Sequence, residues 1–288
     1  MNWAAPIYLY LWLAGMAGGA YFATFLADRF SKGAYQPLLR LATFLGIPMA
    51  VVGVMLLVID LGHPIRFWHL LVRFDPVSPM SIGSWILLLW TGVAVILAVL
   101  WWAEDTVIPG EAVRGLTKVL SWLGLVFAVF LMAYTGVLLA ASNQALWAST
   151  WLIPALFVAS AISTGVAVTV LTALISRHRV ISGESIARLA EADAVVILIE
   201  LGILVLLAIW LGATATESLQ LLFMGALALP FWAGVVAFGL LIPLWLEFAN
   251  WGKRIEVGSA ARIAVASTIC VVLGGLILRA VIVIGGQL

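Results

Sequence analysis

The chain has 288 residues, of which 65% are hydrophobic and 9% charged, whereas soluble domains carry about a quarter charged residues; an ordinary soluble domain is excluded. A net charge of +1 leaves nothing for a polyanion to recognise, so nucleic acid is not an expected partner. A single cysteine, Cys270, and three histidines, His63, His69 and His178, none deep in an apolar block, exclude a disulfide framework, an attached or clamped haem, an iron–sulfur ligand set and a metal site.

The apolar residues come in blocks of about 20, the length that crosses a ~30 Å hydrocarbon core at about 1.5 Å per residue. In lipid each backbone amide must pair within its own element, so the blocks are helices. The expected fold is all-α and polytopic: one membrane domain over residues 1–288, with about eight spans at 6–27, 38–60, 82–102, 117–141, 151–175, 192–211, 220–247 and 262–285.

The first span has no basic residue before it and no small-residue cleavage site, so it is expected to be retained as a span. Its Gly15 and Gly19 have the spacing that lets a neighbouring helix approach closely. The second span ends at Asp60 and opens the most polar, most proline-punctuated stretch of the chain, residues 60–81. There Arg66, His69 and Arg73, spaced i, i+3, i+7, define one polar stripe, and Phe67, Trp68, Leu70, Leu71 and Phe74 cover the rest. That pattern suits a helix lying in the membrane interface, and the stripe is the expected docking ledge for a partner. Ser78 and Pro79 then have the chemistry of an N-cap and first helical position for the third span.

Loop charge sets the orientation. Arg29, Lys32, Arg40, Arg114, Lys118, Arg177, Arg179, Arg188, Lys253, Arg254 and Arg262 fall on one side, against Arg66 and Arg73 on the other. The asymmetry predicts both termini and residues 60–81 outside the cytoplasm. Trp3, Trp85, Trp101, Trp102, Trp147, Trp151 and Trp251 fall near span ends, as interfacial belt residues do.

Ionisable groups inside spans are costly and mark function. Counting residues from the span ends sets Tyr10, Asp60, Tyr134 and Arg279 in one outer layer, contributed by four helices. Glu200 falls near mid-membrane, and Asp193 and Glu247 fall at cytoplasmic ends, where water and basic neighbours are expected to serve them. Hydroxyls and a carboxylate near the water interface suit a quinone, which needs donors for two carbonyl oxygens and a route for protons. The competing reading is a buried Asp60–Arg279 ion pair with the tyrosines in the lipid belt.

Four motifs then carry a family resemblance. They are Tyr8-Leu-Tyr-Leu-Trp-Leu-Ala-Gly-Met-Ala-Gly-Gly19, Asp60-Leu-Gly-His-Pro-Ile-Arg-Phe67 running into Phe74-Asp-Pro-Val-Ser-Pro79, Ala133-Tyr-Thr-Gly136, and Leu278-Arg-Ala-Val-Ile-Val-Ile-Gly-Gly-Gln287. In this order and spacing the chain resembles the NrfD/PsrC-type, polysulfide reductase-like membrane subunits of molybdopterin oxidoreductases. The resemblance implies an eight-helix anchor in a prokaryotic inner membrane, with a quinone pocket in a four-helix bundle. It implies electron exchange between menaquinone or ubiquinone and an iron–sulfur, ferredoxin-like subunit on the outer face. A molybdopterin catalytic subunit is implied beyond it, with no haem or cluster in this chain. It implies Tyr134 as a quinone contact, Asp60 as an acidic residue at the pocket's edge and Arg279 as part of an inner proton or ion-pair network. The residues themselves add Tyr10, His63 and Gly15 as candidate quinone contacts, and Glu200 with Asp193 either as steps of a proton path or as helix-packing carboxyls. The first span departs from the family pattern, with Tyr10 and Pro6 where a histidine and an asparagine are expected. The alternative functions are a secondary transporter, whose signature of matched broken helices is not evident here despite Pro48, Pro230 and Pro243, and a structural scaffold with a degenerate pocket.

Overall fold

A computed structural model describes residues 5–60, 72, 75–76, 78–106, 111–142, 145–148, 150–176, 182–253, 255 and 258–288. Among these, every regular element is a helix: α1 (Ala5–Phe30), α2 (Gln36–Asp60), α3 (Pro79–Thr106), α4 (Glu111–Ala140), α5 (Ala145–Ala148), α6 (Leu152–Ser176), α7 (Gly183–Thr214), α8 (Thr216–Phe223), α9 (Pro230–Asn250) and α10 (Ser259–Gly285). All but α5 and α8 are long and apolar enough to cross a membrane, which makes eight candidate spans. The chain is thus a polytopic all-α membrane protein, as its composition requires. With an even number of spans, the start of α1 and the end of α10 share one face, here the terminal face; the turn between α1 and α2 lies at the opposite face.

Local chemistry explains where the spans begin. Helix α3 starts at Pro79, and Ser78 caps it, its Oγ accepting from the Ser81 amide at 3.4 Å. Helix α7 starts at Gly183, nine residues before the apolar block, because Ser182 Oγ accepts from the Ser185 amide at 3.1 Å and Glu184 pairs with Arg188 one turn on. The expected seventh span divides. Residues 216–223 form α8, the chain turns around Gly225, and the span itself runs from Pro230. Its first stretch, Pro230–Leu241, has the wide i→i+5 winding of a π-helix, and α-winding resumes at Ile242.

The spans pack as two groups of four: α1 to α4, and α6, α7, α9 and α10. Helices α1 and α6 form the seam. About two thirds of each (67% and 61%) is buried, against 33% for α2, α3 and α7, so the lipid-facing work falls to the others. The seam is tight because both helices present glycine. A methyl group on Gly19 would collide with the Ala161 carbonyl, and one on Gly165 with the backbone of Ala20. The Gly15–Gly19 spacing is therefore used for helix approach. Trp12 Nε1 also links the two groups, donating to Val272 O on α10 at 3.1 Å, while Tyr21 Oη donates to Ser121 O on α4 at 2.9 Å and holds the first group together.

Two of the tryptophans assigned to the interfacial belt are core residues. Trp147 is 1% exposed, its indole donating to Ile282 O at 2.8 Å, and Trp101 is 2% exposed among α1 to α4. Trp102, Trp151 and Trp251 are exposed, as belt residues are.

Candidate functional site: paired phenols and a buried polar track

In the first group, Tyr10 of α1 and Tyr134 of α4 come together. Tyr10 is fully buried and Tyr134 nearly so. Each ring lies on a glycine: Tyr134 covers Gly83 of α3 so closely that a Cβ there would fall inside the ring, and Tyr10 lies against Gly53 of α2. The two phenols interact electrostatically, yet Tyr10 Oη has no hydrogen bond of good geometry. A buried hydroxyl held only by such a contact keeps capacity for a better acceptor. All four helices of the first group thus meet at this pair, within about two turns of the terminal face.

Asp60 lies seven residues beyond Gly53, about 10 Å further along α2 towards the terminal face. Only its backbone, at the end of α2, is described. His63, Arg66, His69 and Arg73 lie outside the described residues.

Arg279 belongs to a different cluster from the tyrosines. It is fully buried in the second group, where Nη1 donates to Ser160 Oγ at 3.2 Å and to Gly275 O at 2.9 Å. Its guanidinium lies 5.4 Å from the Phe157 ring centroid, and Nε and Nη2 have no partner. Gly15 faces it: a Cβ on Gly15 would come to 3.0 Å from Nη2, so Gly15 lines the arginine rather than the phenols. Equal depth along the chain did not mean a shared pocket, for two reasons. Helix α10 sits across the seam, and helical side chains tilt towards the helix N-terminus, which carries the guanidinium inward from the terminal face.

The partner it leans towards is Glu200 of α7, 3% exposed, which interacts with both Arg279 and Ser160. Between Glu200, Ser160 and Ser163 and the glycines Gly239, Gly274 and Gly275 lies a cavity of about 10 Å³, close to the space one water needs. Asp193, seven residues before Glu200 and so on the same face of α7, continues the line. It interacts with Ser163, Glu247 and Glu200. Glu247 of α9 accepts from Ser267 Oγ at 3.0 Å and borders a second cavity of about 20 Å³ with Asn250 and Thr268. Asp193 and Glu247 are 1% and 6% exposed, so both are buried rather than served by water at the span ends. The result is a polar track running from Arg279 through Ser160, Glu200, Ser163 and Asp193 to Glu247. Among the described residues no cluster of histidine, cysteine and carboxylates could hold a metal.

Sequence reading left Glu247 out of this track and missed the hydroxyls of Ser160, Ser163 and Ser267. The i, i+3 spacing of Ser160 and Ser163 inside an apolar block was the available signal. The π-wound stretch, which brings Val235, Gly239 and Leu240 against the first cavity, left no signal in composition.

An eight-span helical membrane protein with one buried phenol pair and one buried ionic track is the class this geometry defines. The family model described as polysulphide reductase, NrfD, matches residues 1–288, and the chain belongs to that family. It is 28% identical over 263 residues to a polysulfide reductase chain of Wolinella succinogenes, covering 86% of this chain and 83% of that protein. It is 29% identical over 311 residues to protein NrfD of Escherichia coli, covering 99% and 95%. A selenate reductase subunit of Mesobacillus selenatarsenatis is 29% identical over 119 residues, which is 41% of this chain and 28% of that protein.

Proposed function

We propose that the chain is the membrane anchor of a respiratory oxidoreductase complex and passes electrons between the quinone pool and an iron–sulfur partner at the terminal face. The observation that carries this reading is the buried Tyr10–Tyr134 pair, whose hydroxyls face one another without a hydrogen bond of good geometry. A menaquinone or ubiquinone head group fits it: the carbonyl oxygens accept hydrogen bonds, and two phenols supply them. When bound, the quinone supplies the two-electron chemistry that none of the side chains here can. The chain's own residues do the rest. Tyr10 and Tyr134 orient the ring and hold a proton at their Oη atoms, while the backbones of Gly53 and Gly83 leave room for them. Asp60, at the terminal end of the same group, exchanges that proton with the outside, with His63 beside it in sequence.

The relatives named as parts of a polysulfide reductase and a selenate reductase support a multi-subunit setting. Arg66, His69 and Arg73 form the ledge on which the iron–sulfur subunit docks, with a molybdopterin subunit beyond it. The buried track of Arg279, Glu200 and Asp193 serves as a proton path in the second group, lengthened here by Glu247. A carboxylate near the membrane centre costs about 3 kcal/mol on insertion scales, which argues for a role in that track. Loop charge supports an inner-membrane location with both termini on the periplasmic side.

The test is Tyr134→Phe in the assembled complex. Quinone-linked turnover falls by about tenfold or more, while dye-linked activity of the soluble partners stays intact. Unchanged quinone kinetics would sink the role of the pair, and failure of an iron–sulfur subunit to copurify with the wild-type chain would sink the anchor itself.

A further inference from the structure

A cleft of about 720 Å³ lies away from both clusters, at the opposite face, between the ends of α1 to α4. Four exposed cations, Arg29, Lys32, Arg114 and Lys118, line it against two carboxylates, Asp28 and Glu104. Arg114 is paired with Glu104 at 3.2 Å, and Arg29 lies 5.9 Å over the Trp122 ring. Lys32 and Lys118 make no ion pair among the described residues. The positive charge of the cleft is therefore only partly answered from within.

Two polar atoms just behind the cleft wall lack hydrogen-bond partners. Trp101, 2% exposed, lines the floor, and its buried indole N–H finds no acceptor. Asp28 Oδ1 is buried without a donor, although the carboxyl also accepts from the Tyr35 amide. The hydroxyls of Thr117 and Ser121 are turned back on their own helix, to Val113 O and Thr117 O, so the floor donor is the indole. The occupant must bring an anionic acceptor for Lys32, Lys118 and Trp101, and a hydroxyl donor for Asp28. Apolar Phe25 and Leu39 complete the wall at the depth where lipid glycerol and first methylenes lie.

We propose that this cleft binds the head group of an anionic glycerophospholipid of the phosphatidylglycerol type. The phosphodiester sits between Lys32, Lys118 and the Trp101 indole, and the head-group glycerol hydroxyl donates to Asp28. Basic pockets between spans at the cytoplasmic side are the recurring form of such sites. A zwitterionic choline head group has the phosphate but no hydroxyl for Asp28, and adds a bulky cation. A free phosphate ester has no use for the apolar wall.

The experiment is native mass spectrometry of the delipidated full chain in detergent, titrated separately with phosphatidylglycerol, phosphatidylcholine and inorganic phosphate. Wild type retains phosphatidylglycerol well above phosphatidylcholine, and the difference shrinks with salt. Lys32→Ala with Lys118→Ala weakens phosphatidylglycerol by about 30-fold, roughly fivefold for each lysine, and Lys32→Arg with Lys118→Arg restores it. Brominated phosphatidylglycerol quenches tryptophan fluorescence in wild type and less so in Trp101→Phe. Equal retention of the two lipids, undiminished binding by the double alanine variant, or full competition by inorganic phosphate overturns the proposal.

Discussion

Tyr134 depends on a residue with no side chain. Its ring occupies the space that a Cβ on Gly83 would need, so Gly83→Ala must push the phenol away from Tyr10. Quinone-linked turnover of Gly83→Ala is expected to fall towards that of Tyr134→Phe, and combining the two should add little, because both act on one phenol. Additive losses would mean that Gly83 serves something else. Arg279 and Glu200, buried groups of opposite charge that attract one another without a direct ion pair, make a second residue-scale case. Removing one member strands a buried charge, which costs about 3–5 kcal/mol, whereas removing both does not. Glu200→Gln and Arg279→Gln should each lower the melting temperature in detergent, and the double variant should recover most of the loss. Equal melting of the single and double variants would show that the two do not compensate one another. Tyr10 and Tyr134 could be matched by counting residues along their spans, because both point into the same helix group. Arg279 could not be assigned that way, since depth says nothing of which side of the seam a helix occupies or which way its side chain leans.

At the scale of elements, apolar run length found all eight spans and erred where something other than apolarity decides a helix end. The polar first turns of α7 are helical through the Ser182 cap and the Glu184–Arg188 pair. The chain turn around Gly225 is as apolar as the helices on either side of it, α8 and the span α9, so hydropathy ran them together. The seam between α1 and α6 depends on missing atoms, and size alone tests it. Gly165→Leu should reduce the folded, membrane-extracted protein severely, while Gly92→Leu on α3, where a Cβ would meet nothing within 4 Å, should be tolerated. Similar yields of the two variants, measured by size-exclusion profile, would show that the helices can part without loss.

At the scale of the whole molecule, the two faces carry different chemistry. The terminal face holds the phenol pair and the end of α2, and the proposed docking stripe follows from there. Arg66→Glu with Arg73→Glu should release the iron–sulfur partner at lower salt than wild type needs. A complex that survives unchanged would remove the stripe from the interface. The seam has a further bearing on how the halves work together. Carriers that expose one site alternately to each side do so by rocking one bundle against another, which needs a surface that slides. Here the contact runs backbone to backbone at Gly19 and Gly165 on crossing helices, and a fit of that kind has one register. The two groups are therefore expected to move as one body. Distances between spin labels on α3 and α7 should stay constant through turnover, and a distance that changes would mean that the seam slides.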